Sequence, residues 1–264
     1  MFKRLLACCL LVPSLAFGAQ IDVDGNQCQV ELNYDLQVSP QQLVISDKQQ
    51  TLYHFEDGQL LVDGQKVALT PEQRYQLEQF QQQLLIGSKD LVAIVNSALS
   101  LAADVISQVF QELNIDSDTP EQLMASLQQE VAKAVSAEDG SYQLLSQSFD
   151  QAGDEIGEAV ESQMEQLMSE GIGQLLMSLG ESMSNGEGSF EQRMENFASS
   201  MENMGERIEQ QVELRADNLE VQAEQLCSQW QKLDLQEQRI HDLVPQLQPY
   251  ELVTAEQNEL AFLR

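Results

Sequence analysis

The chain has 264 residues, of which 43 are acidic and only 13 are lysine or arginine, so its formal net charge at neutral pH is −30. A surface this acidic repels nucleic acid and anionic lipid head groups, which argues against binding to either. Cationic ligands and metal ions are permitted by this charge, although a solvated acidic surface that keeps the protein soluble is the simpler explanation.

The first 18 residues have the pattern of a cleavable secretory signal. Lys3 and Arg4 form a short positive region, an apolar run follows over 5–15, and small residues then surround Gly18, after which we expect cleavage. A lipoprotein signal ending at Cys8 is disfavoured because the apolar run before that cysteine is too short. We therefore predict an exported, periplasmic protein.

Removal of the signal leaves two cysteines, Cys28 and Cys227, in a compartment that permits disulfides. We predict that they form one intramolecular disulfide. In the chain-entropy view, closing a loop of roughly 200 residues contributes about 5 kcal/mol of stability. Two buried free thiols are the alternative.

Residues 19–70 have the two-residue periodicity and the turn chemistry of a small antiparallel β region. The strand-like runs are 27–32, 42–46, 51–56, 59–62 and 66–69. Asp57-Gly58 and Asp63-Gly64 separate the last three runs, and Asp-Gly supplies the positive φ angles that tight hairpin turns need. The pattern predicts an antiparallel β-meander.

Residues 71–184 have helical periodicity. The sequence Thr70-Pro71-Glu72-Gln73 combines an N-cap, a proline at the first helical position and a capping box, and Thr119-Pro120-Glu121-Gln122 repeats the arrangement. Helices are therefore predicted to begin near residues 71 and 120. A later apolar stripe over 149–179 is interrupted by glycines, which weaken a helix.

The apolar run over 91–110 is long enough to cross a membrane. Asn96 and Asp104 lie inside it, however, so a soluble helix is favoured and we predict no transmembrane span after removal of the signal.

A loop at 185–189 is followed by one long predicted helix over 190–244. Its apolar residues recur at alternating spacings of four and three, as at the a and d positions of a coiled coil. This candidate interaction seam consists of Phe190, Met194, Phe197, Met201, Met204 and Ile208. A shift at Val212 resembles a stutter, and the pattern then resumes through Trp230. Residues 245–264 are predicted to be a tail or a short helix.

No motif of a common enzyme class is present in the sequence. His54 and His241 are the only side chains with an ordinary pKa near neutrality, and both are interpreted as structural. Without a nucleophile elbow, a phosphate loop or zinc-spaced ligands, we assign no catalytic residue, no metal site and no cofactor. The methionine-rich helical faces suit either core packing or an adaptable groove for a partner.

Taken together, these features resemble the YggN-like family of exported gammaproteobacterial proteins. The shared features are the signal, Cys28 in the first strand, Val38-Ser39-Pro40, Asp63-Gly64-Gln65, Leu69-Thr70-Pro71-Glu72-Gln73-Arg74, a glycine-interrupted segment, and a helix that carries Cys227. The resemblance implies a periplasmic location and supplies no activity and no catalytic residue.

The sequence as a whole predicts an α+β fold, predominantly α, with a small N-terminal antiparallel β-meander followed by a long-helix bundle or coiled-coil-like body. The predicted function is that of a non-enzymatic periplasmic module for protein interaction, or a structural or chaperone-like one, which binds another periplasmic protein or itself. The alternatives are a hydrolase that depends on carboxylates alone and an acidic binder of cationic ligands.

Overall fold

A computed structural model describes residues 20–23, 26–112, 119–146 and 190–255 of the chain. The predicted signal, the apolar stripe over 149–179 and the loop at 185–189 lie outside these residues. The strands are β1 Gln20–Val23, β2 Asn26–Leu32, β3 Asp35–Val38, β4 Gln42–Asp47, β5 Gln50–Glu56, β6 Gln59–Val62, β7 Gln65–Val67, β8 Val135–Glu138, β9 Ser141–Leu144 and β10 Val253–Ala255. The helices are α1 Pro71–Glu112, α2 Thr119–Ala134, α3 Phe190–Leu243 and a short 3-10 helix, Pro245–Leu247.

Seven strands form one sheet in the order β7-β6-β5-β4-β3-β9-β8, with antiparallel pairing throughout. Tight turns make this possible. Asp57 and Gly58 have φ angles of 49° and 71°, and Asp63 and Gly64 have φ angles of 49° and 74°, as a type I′ hairpin requires at both central residues.

One face of this sheet forms the core with the two long helices. Alternate residues along β3 to β6 point inward, because successive side chains of a strand lie on opposite faces. The first half of α1 contributes Leu77, Phe80 and Leu84, and the second half of α3 contributes Trp230 and Leu233, all buried in the same cluster. We call this sheet with its packed helical segments the head.

The helices α1 and α3 run antiparallel in one continuous register. The Gln73 side chain donates to the Leu243 carbonyl over 2.6 Å at the base, Gly87 lies against Trp230, and Arg215 pairs with Asp104 further out. From the first of these contacts to the last, α1 advances by about 31 residues and α3 by about 28, so the pairing extends over about 45 Å. We call the part of α1, α2 and α3 beyond the head the arm.

A second sheet, in the order β1-β2-β10, connects the first and last described segments of the chain. β10 pairs antiparallel with β2 through Val253↔Leu32 and Ala255↔Val30. Asn33, which follows β2, donates from its backbone N–H to the Leu252 carbonyl over 2.9 Å. The C-terminal segment is therefore fastened to the second strand of the protein.

The structure confirms that an antiparallel sheet precedes helices, and it corrects three finer predictions. Residues 135–144, within the predicted helical region 71–184, form the β8-β9 hairpin, with Asp139-Gly140 as its turn. The last predicted run of the meander, 66–69, is instead β7 at 65–67. Residues 245–264 were predicted to be a tail or a short helix, and neither describes 253–255, which form β10 because they pair with the edge of β2.

Candidate functional site

A groove of about 300 Å³ lies between α1 and α2 on the arm. Its walls include Leu99 and Ala103 from α1, and Met124 and Val131 from α2, with side-chain amides and a hydroxyl also present. Among the described residues, no acidic, basic or histidine side chain lines it. These lining residues can receive apolar side chains and form neutral hydrogen bonds.

The outer half of α1 is apolar and only partly covered by the described residues, with Leu91, Val92 and Ile94 packed in part against the core. Within Pro71–Gln108, the most apolar stretch has a mean hydropathy of 1.5, and none of that stretch is buried among the described residues. By length and composition alone this helix could cross a membrane. Its inner part, including Phe80, packs in the head, so one apolar stripe continues from the core onto the arm surface.

Polar contacts attach α1 to α3 beside this surface. Arg215 forms an ion pair with Asp104 and lies 3.4 Å from the Ser100 hydroxyl oxygen. Both charged side chains are largely exposed, so the pair contributes well under 1 kcal/mol. Its main effect is to set which residues of α1 and α3 face each other, and it adds little to the stability of the arm.

The candidate seam predicted from the sequence lies at the far end of α3. If the α1–α3 register continues, Glu112, the last described residue of α1, lies near Arg207. Phe190, Met194, Phe197, Met201 and Met204 then precede the paired part of α3, and Ile208, which is partly exposed, lies at its edge. No described residue of α1 lies opposite the first five.

A buried carboxylate on α3 is the main feature that the sequence interpretation missed. Glu237 is 2% exposed, and its two oxygens accept hydrogen bonds from the backbone N–H groups of Leu252 and Val253 at 2.7 and 2.9 Å. The sequence does contain a signal that position 237 is buried. Glu237 continues the alternating spacing of Trp230 and Leu233, and Ile240 follows it at the next position of the same apolar stripe. A charged residue at such a position must be paired with a polar partner or neutralised.

Burial raises the pKa of Glu237 to about 8, against the opposing effect of the two backbone hydrogen bonds, and the nearby charges of Glu251 and Asp234 raise it further. Burial also raises the pKa of Tyr53 well above its usual 10, and the charge of Glu237 adds to that effect. The Nε2 atom of His241 lies 3.7 Å from Oε1 of Glu237. Burial lowers the pKa of the His241 imidazole.

A raised carboxyl pKa is what a general acid requires, but the geometry here is structural. Both oxygens of Glu237 bind backbone groups, and the groove described above is lined by none of these residues. Within the described part of the chain, no three potential ligands among histidine, cysteine, aspartate and glutamate converge to hold a metal ion.

The remaining singled-out residues are the two histidines and the two cysteines. His54 lies on β5, between the inward-pointing Tyr53 and Phe55, and its Nε2 is 3.7 Å from Glu56. Cys28 lies on β2 and Cys227 on α3, and these two elements are in contact. The structure thus brings together the elements that carry the cysteines, and it does not join His54 with His241.

The fold is an antiparallel sheet packed against a long antiparallel helix pair, with an apolar groove on the arm. It is of the α+β class, and the residues that line the groove indicate no reaction. The chain belongs to the DUF2884 family, described as a protein of unknown function, whose model matches residues 28–253. No curated protein and no solved structure matches the chain. The narrower resemblance to YggN-like gammaproteobacterial proteins stays a prediction.

Proposed function

We propose that this protein is an exported, non-enzymatic interaction module that uses its arm to bind an apolar segment of another periplasmic protein or of a second copy. The observation that carries the proposal is the apolar outer half of α1, whose most apolar stretch contains no fully buried residue among the described residues. Apolar surface left in water is unfavourable by about 25 cal/mol per Å², so a partner that covers it gains binding free energy.

The groove supports a helical partner. Two neighbouring helices leave a channel into which an amphipathic helix can insert side chains spaced three and four residues apart. Leu99 and Met124 offer apolar contact in this channel, and the amides of Asn96 and Gln128 can pair with polar groups at its margin. Methionine adapts its shape to different apolar partners, which suits a chaperone-like role.

Export and a Cys28–Cys227 disulfide are parts of the same proposal. They are supported by the signal-like N-terminus and by the contact between β2 and α3. A disulfide between these elements would join β2 covalently to α3, so that the arm could bind a partner without separating from the head.

Site-specific photo-crosslinking in the native periplasm tests the interaction. A photo-reactive residue at Leu99 should give adducts with a second polypeptide, whereas one at Gln59, an exposed residue of β6 in the head, should give none. Mass spectrometry then separates a different protein from a second copy. Only links within one chain at position 99 would contradict the proposal.

A substitution supplies the second part of the test. Met124→Asp places a charge in the groove on a partly buried side chain, so it should remove the adducts formed from position 99. Circular dichroism must show that the variant keeps its helix content and melting temperature. Adducts that persist in a folded Met124→Asp variant would show that the partner binds elsewhere.

A further inference from the structure

The last described segment of the chain lies across β2 and is held from both sides. We call residues 250–255 the C-terminal strap. On one side it pairs with β2, and the Asn33 side chain donates to the Glu251 carbonyl over 3.0 Å and to the Thr254 hydroxyl over 2.8 Å. On the other side it is bound by α3 through Glu237.

The Glu237 contact differs from the other attachments of the strap. In a regular strand, consecutive N–H groups point in opposite directions, whereas those of Leu252 and Val253 converge on one carboxyl group, just where the strap enters β10. Successive N–H groups that converge in this way form a small anion-binding concavity, which by itself favours the charged carboxylate, but the effect of burial on Glu237 is larger and favours the neutral carboxyl. Leu252 and Val253 are fully buried, so water is not available to replace Glu237 as the acceptor.

Two carboxylates, a neutral phenol and an imidazole lie around this contact. Asp234 lies on α3, Glu251 lies in the strap itself, and the Tyr53 hydroxyl faces it from β5. His241, also on α3, is the nearby imidazole, and burial disfavours its charged form. A negative charge on Glu237 therefore has no cation among these neighbours to balance it.

We propose that Glu237 is a protonation-controlled latch, which holds the strap firmly while its carboxyl is neutral and loosens it when the carboxyl becomes charged. When the strap leaves, the edge of β2 loses its partner, and the backbone groups of Val30 and Leu32 that pair with β10 become free to accept another strand. The latch therefore controls access to a β-strand edge that is separate from the groove on the arm.

The sign of the pH effect follows from the two states of the strap. With the strap closed, the pKa of Glu237 is about 8, and with the strap open it returns towards its ordinary value of 4.5. Between these values the open state has released a proton that the closed state retains, so a rise in pH favours opening. Above the upper value both states are ionised and the effect levels off.

Hydrogen exchange of the Leu252 and Val253 amides, measured on the full chain by NMR, tests the latch. After correction for intrinsic exchange, their protection should fall by up to about tenfold per pH unit from pH 6.5 to 8, and then level off. Burial lowers the pKa of His241 below 6.5, so neutral His241 predominates over this range, and Tyr53 and Tyr250, whose pKa values lie above 10, do not titrate in it.

Two variants make the result specific. Glu237→Gln removes the titration and should give protection that does not change with pH over this range. Tyr250→Phe removes the 2.7 Å hydrogen bond from the Tyr250 hydroxyl to Asp63, so it should lower protection equally at every pH and keep the slope. A slope that survives in Glu237→Gln, or wild-type protection that is constant up to pH 9, would overturn the latch.

A third variant covers the case in which Glu237→Gln fails to fold. Glu251→Gln removes a neighbouring negative charge from an exposed position, so it should lower the pKa of Glu237 and move the levelling-off point to a lower pH. An unchanged levelling-off point in this variant would contradict the assignment of the titration to Glu237.

Discussion

Gly87 sets how closely α1 approaches α3, and replacing it tests the packing of the two helices. A Cβ atom at this position would lie 3.2 Å from Trp230 Nε1, 3.4 Å from Trp230 Cε2 and 3.5 Å from Leu233 Cδ1. Alanine improves helix propensity by about 1 kcal/mol, but the indole must move by a few tenths of an ångström, so Gly87→Ala should change stability by less than about 1 kcal/mol.

Gly87→Leu adds three further carbons towards side chains that are almost fully buried. Overpacking costs about 1–3 kcal/mol, and the gain in helix propensity offsets part of it, so we expect a net loss of about 1–2 kcal/mol. Gly205→Leu on α3 is the matched control, because nothing among the described residues lies within 4 Å of its added Cβ. That substitution should be neutral or stabilising.

Urea unfolding followed by circular dichroism measures these changes, and the fluorescence of Trp230, the sole tryptophan, reports displacement at the contact itself. A double-mutant cycle completes the test. Trp230→Ala alone should cost about 3–5 kcal/mol, and it should cost at least about 1 kcal/mol less in the Gly87→Leu background, where leucine fills part of the cavity. Additive effects, or a Gly87→Leu variant as stable as the wild type, would refute the close contact.

Three further predictions concern single groups. Burial raises the folded-state pKa of Glu237 from 4.5 to about 8, so the stability that its neutral carboxyl contributes is complete below pH 4.5 and is lost by pH 8. Urea unfolding should therefore show up to about 5 kcal/mol of pH-dependent stability, which Glu237→Gln should abolish. Thr70→Ala should lower the unfolding free energy by about 1 kcal/mol, because Thr70 accepts from the Gln73 N–H at 3.2 Å, and an unchanged midpoint would contradict this. Non-reducing peptide mapping should find Cys28 linked to Cys227, and reduction should lower the unfolding free energy by up to about 5 kcal/mol, whereas two free thiols would show the pairing to be wrong.

Features that depend on neighbouring residues could be predicted from the sequence. The capping box at Thr70 and Gln73 is present as predicted, with the Thr70 N–H donating to Gln73 Oε1 over 2.8 Å. The Asp-Gly turns at 57–58 and 63–64 were recognised because their chemistry is local. Asp139-Gly140 has the same chemistry, and it was overlooked because apolar helical periodicity on both sides concealed a hairpin of four-residue strands.

Features that depend on distant partners could not be predicted. β9 becomes a strand by pairing with β3, more than 100 residues earlier, and Asp35 then binds both the backbone and the hydroxyl of Ser146. β10 has only three residues, too few for a periodic signal, and it exists because β2 and Glu237 satisfy its backbone. To predict the groove, one would have to know that α2 packs alongside α1, and no local sequence pattern indicates this.

The register of α1 on α3 gives the predicted seam a physical meaning that the heptad pattern alone could not supply. The pattern treats residues 190–233 as one series, but in the folded chain Leu226, Trp230 and Leu233 are buried against the head and α1. The earlier members, from Phe190 to Met204, precede the point where α3 meets the described end of α1, by up to about 25 Å at 1.5 Å per residue. The seam is therefore not one uniform interface: its second half, with Leu226, Trp230 and Leu233, holds the head together.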